Sequence, residues 1–280
     1  MRYTAEQFKK EKNKRLTLLG MSGVGKTHLS KLLSKEGGWF HYSGDYRIGT
    51  KYLEEPILDN IKERAMEVPF LRTLLKTDSI YISSNITVDN LAPISSFLGK
   101  IGAPSKGGLT LKEFSIRQEL HKSAEINAMK DVPDFIEKSS RIYGYDHFIN
   151  DAGGSICELI DSEAMDALVN HTVILYIEEN DEVRQTLIER SKNHPKPLYY
   201  NHDFLVNNLE VYQKETGGDH ESMDPDEFVR WIFPRLLDYR KAKYQAIAKQ
   251  YGYTVQASDT MNLNNENELI DLVAKAIESE

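Results

Sequence analysis

The sequence is poor in cysteine. Cys157 is the only one in 280 residues. An intrachain disulfide is therefore impossible, a metal site built on clustered thiolates is excluded, and a reducing, cytoplasmic location is expected. Long apolar runs are missing too. Nothing approaches the about 18 consecutive apolar residues that a membrane-spanning helix needs. Residues 1–14 are polar and lack the apolar core of a signal peptide, so no membrane partner is expected. Basic residues are outnumbered: 35 Lys and Arg face 43 Asp and Glu, for a formal net charge of −8. Such a chain is a poor general binder of nucleic acid. Its 17 Gly and 9 Pro are too few for a fibrous or low-complexity protein. The histidines contain no His-x-x-x-His pair, which argues against zinc.

What remains is a globular composition long enough to bury a core without disulfides or a structural metal. Apolar runs alternate with amphipathic stretches and no internal repeat is visible, which predicts an α/β fold on a parallel sheet. Strands are expected at residues 16–19, 39–42, 148–150, 172–177 and 253–257. A helix is expected over 26–34, ended by Gly37-Gly38, and another over 265–277 with Leu269, Leu272, Val273 and Ile277 on one face. The basic lead-in of Lys9, Lys10, Lys12, Lys14 and Arg15 is interrupted by Glu6 and Glu11 and reads as a solvated helix. Residues 46–146 form a long, mostly helical excursion. Within it, 100–122 is locally basic through Lys100, Lys106, Lys112, Arg117 and Lys122, and 103–108 reads as a mobile loop. Asp224 and Pro225 open a helix near Asp226, which Pro234 is expected to kink or end early.

The chemistry is concentrated in Gly20-Met21-Ser22-Gly23-Val24-Gly25-Lys26-Thr27, which fits G-x-x-x-x-G-K-[ST] between a strand and a helix. Glycines let successive backbone N–H groups turn inward on phosphate oxygens, and the helix adds its positive end. Nucleotide contacts are expected from Gly20, Ser22, Gly23, Val24, Gly25, Lys26, Thr27 and His28. Lys26 would bridge the β- and γ-phosphates. Thr27 would hold Mg²⁺, with Asp151 at the end of the third strand as a Walker-B-type carboxylate. ATP and Mg²⁺ are the expected cofactors. No N-K-x-D motif reads a guanine, and no extended run of acids follows the third strand.

With these residues in hand, the chain resembles the small-molecule kinases of the P-loop superfamily, most closely shikimate kinase. Phe40-His41-Tyr42-Ser43-Gly44-Asp45-Tyr46-Arg47 stands where such kinases carry an acidic motif, although Ser43 occupies its first acidic position. The resemblance implies that Asp45 addresses the acceptor hydroxyl as general base, with Arg47 beside it. Phe114-Ser115-Ile116-Arg117-Gln118-Glu119 loosely resembles the helix that grips the substrate acid, which makes Arg117 an anion clamp. Gly153 and Gly154 resemble the glycine motif that brings backbone against the acceptor. Residues 189–198 resemble the lid, with Arg190 and Lys196 as its cations and Lys192 third. Arg240, in a stretch similar to Arg-x-x-x-Tyr-x-x-Ile-Ala, inherits a carboxylate- or phosphate-binding role, with a structural salt bridge as the alternative, and Ser258 lies in the loop that flanks the adenine. The resemblance implies a three-layer P-loop NTPase fold with a parallel five-stranded sheet, a helical substrate-binding insertion and a lid. It implies one kinase-like domain over 1–280: core 15–50, 147–189 and 236–280, insertion 51–146, and lid with a helical segment 190–235. The chain also resembles a bacterial family labelled only "ATPase", through residues 42–50 and 155–159.

The expected function is ATP- and Mg²⁺-dependent phosphoryl transfer to a hydroxyl of a small, anionic molecule. Two alternatives stand beside it. In one, the chain is a nucleotide-dependent ATPase switch that docks a protein partner through 46–146. In the other, it is a polynucleotide 5′-kinase, which needs a basic groove that the acidic total disfavours outside 100–122.

Overall fold

In a computed structural model, residues 2–35, 37–159, 162–219 and 221–279 are described. Five parallel strands form one sheet in the order β2-β3-β1-β4-β5. They are β1 (Arg15–Leu19), β2 (Trp39–Ser43), β3 (His147–Asp151), β4 (Val173–Glu178) and β5 (Gly252–Gln256). The helices that matter below are α1 (Ala5–Lys10), α2 (Lys26–Lys35), α3 (Gly44–Arg47), α4 (Glu54–Glu67), α5 (Pro69–Lys76), α6 (Ala92–Leu98), α7 (Leu111–Lys130), α8 (Val132–Tyr143), α9 (Glu163–His171), α10 (Asp181–Asn193), α11 (His202–Thr216), α12 (Pro225–Tyr251), α13 (Ala257–Met261) and α14 (Glu266–Ser279). Every expected strand is present, shifted by a residue or so at its ends.

The chain forms two compact units. The first contains residues 1–44, 125–195 and 229–280; the second contains 45–124 and 196–228. These breaks place the start of the second unit earlier than the expected insertion and return the end of α7 and all of α8 to the sheet unit.

The first unit is a sheet covered on both faces. Four of the five residues of β1 and of β3 and five of the six of β4 are buried, as a parallel sheet requires when helical crossovers cover it. Successive buried positions carry side chains to opposite faces, so Leu16, Leu18 and Leu19 of β1 and Ile174, Leu175, Tyr176 and Ile177 of β4 fill both sides. Helix α2 packs on β2 and β3, α8 on the same strands, α9 on β4 and α14 on β5. Strand β1 lies between β3 and β4. The chain leaves it for β2 and β3 on one side and for β4 and β5 on the other, so the carboxyl end of β1 is a topological switch point. The lead-in is a short helix, α1, whose N-cap Thr4 forms a capping box with Gln7.

Helix α12 does not end early at Pro234. It runs unbroken from Pro225 to Tyr251 through Pro234. Asp224 caps its start, its carboxylate accepting from the Asp226 and Glu227 amides at 2.9 and 3.1 Å. Phe228 and Ile232 are fully buried, and Trp231 carries the Arg235 guanidinium 3.8 Å from its ring centre. Burial of this face outweighs the one backbone hydrogen bond that a proline removes.

In the second unit α4 packs on α5 and α6, and Phe114, Tyr200, Phe204, Tyr212 and Phe228 form an aromatic cluster. The loop 103–108, read from sequence as mobile, is closed by hydrogen bonds. Gly102 donates to Leu109 C=O (3.0 Å), Leu109 to Lys100 C=O (2.8 Å), Gly108 to Ala103 C=O (3.0 Å) and Ala103 to Met223 C=O (3.0 Å). No helix among the described residues is long and apolar enough to cross a membrane.

Candidate functional site

The glycine loop leaves β1 at the switch point. Gly20 has φ +142°, and a Cβ there would sit 2.7 Å from the Ile177 carbonyl at the end of β4, so the loop turns away from the sheet only because nothing projects. Gly23 has φ +97°, and its missing Cβ is where Leu187 and the Arg190 guanidinium of α10 approach, 2.8 and 3.0 Å from the position it would take. Val24 N–H closes on Met21 C=O at 3.4 Å, and α2 begins at Lys26 with Leu29 bonding back to Gly25 at 3.0 Å. The first turn of α2 thus presents its positive end at the loop. Ser22, Gly23, Thr27 and His28 are exposed around it.

Lys26 is buried, at 6% exposure. Its ammonium donates to Gly20 C=O at 2.7 Å and to Met21 C=O at 3.0 Å. The charge therefore rests on the loop's own carbonyls. Thr27 Oγ1 donates to Asp151 Oδ2 at 2.6 Å. His41 of β2 places Nε2 3.6 Å from the same carboxylate oxygen. A hydroxyl and a carboxylate beside a phosphate cradle are hard oxygen donors. Mg²⁺ takes such a set when substrate phosphates and water complete its octahedron, so these residues fit the metal that the motif implies.

Beside the loop lies a cleft of about 290 Å³ lined by Gly23, Leu187, Arg190, Ser258 and Met261, among others. Arg190 and Ser258, both expected nucleotide contacts, are brought to one place here. The lid reading needs one correction. Arg190 stands on a helix, since α10 continues to Asn193, so the loop itself begins only at His194. Helix α10 is fastened to α12 by Arg184–Asp238 at 2.8 Å and by Arg230 Nε donating to Lys192 C=O at 2.8 Å.

The Gly153–Gly154 turn follows Asp151. A Cβ on Gly154 would lie 2.9 Å from the Ser22 amide. In this unit the close approach is therefore to the phosphate loop, whereas the sequence reading assigned it to the acceptor. Arg240 takes the salt-bridge alternative in place of the ligand-binding role. It is 3% exposed. Its Nε donates to Glu158 Oε1 at 2.6 Å and its Nη1 to Gly154 C=O at 2.8 Å. The guanidinium is neutralised inside the protein by a carboxylate with no exposed side-chain surface, so its place is in the framework of the turn. Cys157 lies in the same buried cluster, and burial pushes its thiol up to about 12.

In the second unit Arg117 is also turned inward. Nε donates to Glu113 at 2.8 Å, Nη1 to Phe97 C=O at 2.5 Å and Nη2 to Asn60 at 2.8 Å. Each guanidinium nitrogen already serves a partner, which leaves an organiser of α4, α6 and α7 in place of the expected anion clamp. Asp45 and Arg47, on α3, are half-buried, with the Arg47 guanidinium 5.8 Å from the Tyr52 ring centre. Lys196 is exposed. Residues that the sequence reading missed are Leu187 and Met261 in the cleft, His41 at Asp151, and Tyr244, whose hydroxyl reaches Gly20 and Gly154. The spacing of Leu187 from Arg190 and of Tyr244 from Arg240, about one helical turn, was the available signal.

No family model matches the chain, and no curated protein matches it. Solved structures do. A shikimate kinase from Acinetobacter baumannii in complex with shikimate is 16% identical and aligns over 98% of this chain and 96% of its own, with a TM-score of 0.41. A shikimate kinase from Bacteroides thetaiotaomicron is 13% identical and aligns over 80% of this chain and 98% of its own, with a TM-score of 0.30. Likeness of this size carries no weight for function, which rests below on the chain's own residues.

Proposed function

We propose that the chain is a P-loop phosphotransferase that binds ATP with Mg²⁺ on residues 20–27 and phosphorylates a hydroxyl of a small, anionic acceptor. The observation that carries this reading is the 2.6 Å contact of Thr27 Oγ1 with Asp151 Oδ2 at the mouth of the glycine loop. A hydroxyl from the end of the motif and a carboxylate from the end of the next strand in the sheet meet there, a donor pair that would suit a phosphate-bound cation. Thr27 and Asp151 would hold Mg²⁺, which would supply positive charge to offset the negative charge growing on the transferred group.

The chain supplies the rest. Backbone amides of the loop and the first turn of α2 hold phosphate oxygens. Lys26 swings from the Gly20 and Met21 carbonyls to add its charge. Arg190, exposed beside Gly23, stabilises negative charge on the group in flight. Leu187, Ser258 and Met261 flank the base. Asp45 keeps the role its motif implies: it takes the acceptor's proton as the new P–O bond forms and the bond to ADP breaks. Arg117 and Arg240 are engaged by protein partners and are not assigned to the acceptor.

Product analysis tests the reading. Incubation with Mg²⁺, ATP and hydroxylated anionic metabolites, chosen by thermal shift with a non-hydrolysable ATP analogue, is expected to yield ADP and phosphorylated acceptor in equal amounts without free phosphate. Steady acceptor-free phosphate release that a partner protein alters would replace the kinase with a switch.

A further inference from the structure

Tyr244 has no part in the chemistry proposed above, yet it touches both loops that form the site's floor in the first unit. It is fully buried and stacked on Tyr176, with ring centres 5.2 Å apart and planes 11° apart. Its hydroxyl hydrogen is shared between Gly154 C=O at 3.0 Å and Gly20 C=O at 3.2 Å. Arg240, one turn earlier on α12, donates to the same Gly154 carbonyl at 2.8 Å. One face of α12 therefore fastens the entrance of the phosphate loop to the glycine turn behind Asp151.

The geometry points to Tyr244 as a positioning residue for the nucleotide, an inference that rests on the reading of residues 20–27 as an ATP site. Gly20 C=O has two lone pairs, and it accepts from Tyr244 and from Lys26, the latter at 2.7 Å. Lys26 is the group that must leave when phosphates arrive. Tyr244 then keeps the buried carbonyl satisfied and the loop in shape. Without the hydroxyl, the bound state must either leave that carbonyl short of a donor or keep Lys26 off the phosphates. Both outcomes fall on the nucleotide complex and spare the nucleotide-free protein, where Lys26 still serves Gly20.

The test is calorimetric titration of Tyr244→Phe with Mg²⁺ and a non-hydrolysable ATP analogue, beside thermal unfolding without nucleotide. The expected result is a Kd raised about tenfold, with the nucleotide-free Tm lowered by only about 3 °C. A purely structural role would lower Tm and leave Kd where it was, and that result overturns the inference. Gly154→Ala attacks the same fastening from the other side and serves if Tyr244→Phe does not fold. Its Cβ would meet the Ser22 amide at 2.9 Å, and a severalfold rise in Kd is expected; wild-type affinity in that variant also overturns the inference. Wild-type protein that binds no analogue at all overturns the nucleotide reading itself, which separates the two failures.

Discussion

Arg190 and Arg117 are both helix arginines that the sequence offers to anions, and the two units use them in opposite ways. In the sheet unit, Arg190 stays exposed with its guanidinium against Gly23 of the phosphate loop. In the helical unit, Arg117 is sealed, with Glu113, Asn60 and the Phe97 carbonyl each taking a nitrogen. Arg240 shows that this is no simple division between units, because Glu158 takes its charge inside the sheet unit. A cation is available to a ligand when its own surroundings supply too few acceptors. Sequence motifs report the residue type and say little about that supply.

The sharpest way to break this contrast begins at the loop. Lys26→Ala is expected to lower turnover about a thousandfold while the protein stays folded; near-normal turnover would remove the loop from the chemistry. Next in size is Arg240→Met, which leaves Glu158 charged and buried without its partner. Urea unfolding should show a loss of about 3–5 kcal/mol, and a loss below about 1 kcal/mol would return Arg240 to a ligand-facing role. The two arginines of the comparison should then separate cleanly. Arg117→Ala is expected to cost about 2–3 kcal/mol of stability. Arg190→Ala is expected to cost less than about 0.5 kcal/mol and to slow turnover about a hundredfold. If Arg117→Ala keeps its stability and raises the acceptor KM, the anion-clamp reading of that helix is restored.

The smallest expected effect is at Glu179, which is 1% exposed just beyond β4. Burial holds its carboxyl above the usual 4.5, with the neighbouring Glu178 adding in the same direction. The folded protein therefore binds this proton more tightly than the unfolded chain. That contribution to stability is present below pH 4.5 and is lost as pH rises through the elevated folded value. Glu179→Gln should raise Tm by about 2 °C at neutral pH, with the gain vanishing in acid. A gain that persists in acid would assign the effect to packing.

The parallel sheet was legible because each strand is a short apolar run bounded by a turn or a helix start, and the phosphate loop was legible because its chemistry is contiguous. Thr27 from the motif and Asp151 from the end of the third strand were paired in advance. What could not be read was tertiary. Pro234 lies within a helix whose buried face includes Phe228, Ile232 and Leu236, and that burial overrode a local signal. Gly108 and Ala103 close a loop that composition marked as mobile. Glu113 is a readable i,i+4 partner of Arg117, but the other partners of Arg117 and Arg240 lie 20 to 86 residues away in sequence, and no local pattern announces them. Tyr244 stands in the quoted helix stretch, but its acceptors, 224 and 90 residues distant, could not be read there.

The central claim concerns the bend between β1 and α2, and a crystal structure grown with Mg²⁺ and a non-hydrolysable ATP analogue tests it most directly. The expected result is a triphosphate wrapped by the amides of residues 20–27, with Lys26 Nζ moved from Gly20 C=O to a phosphate oxygen and a cation at Thr27 facing Asp151. An empty bend, with Lys26 still on the Gly20 and Met21 carbonyls and the nucleotide bound elsewhere or absent, would contradict it.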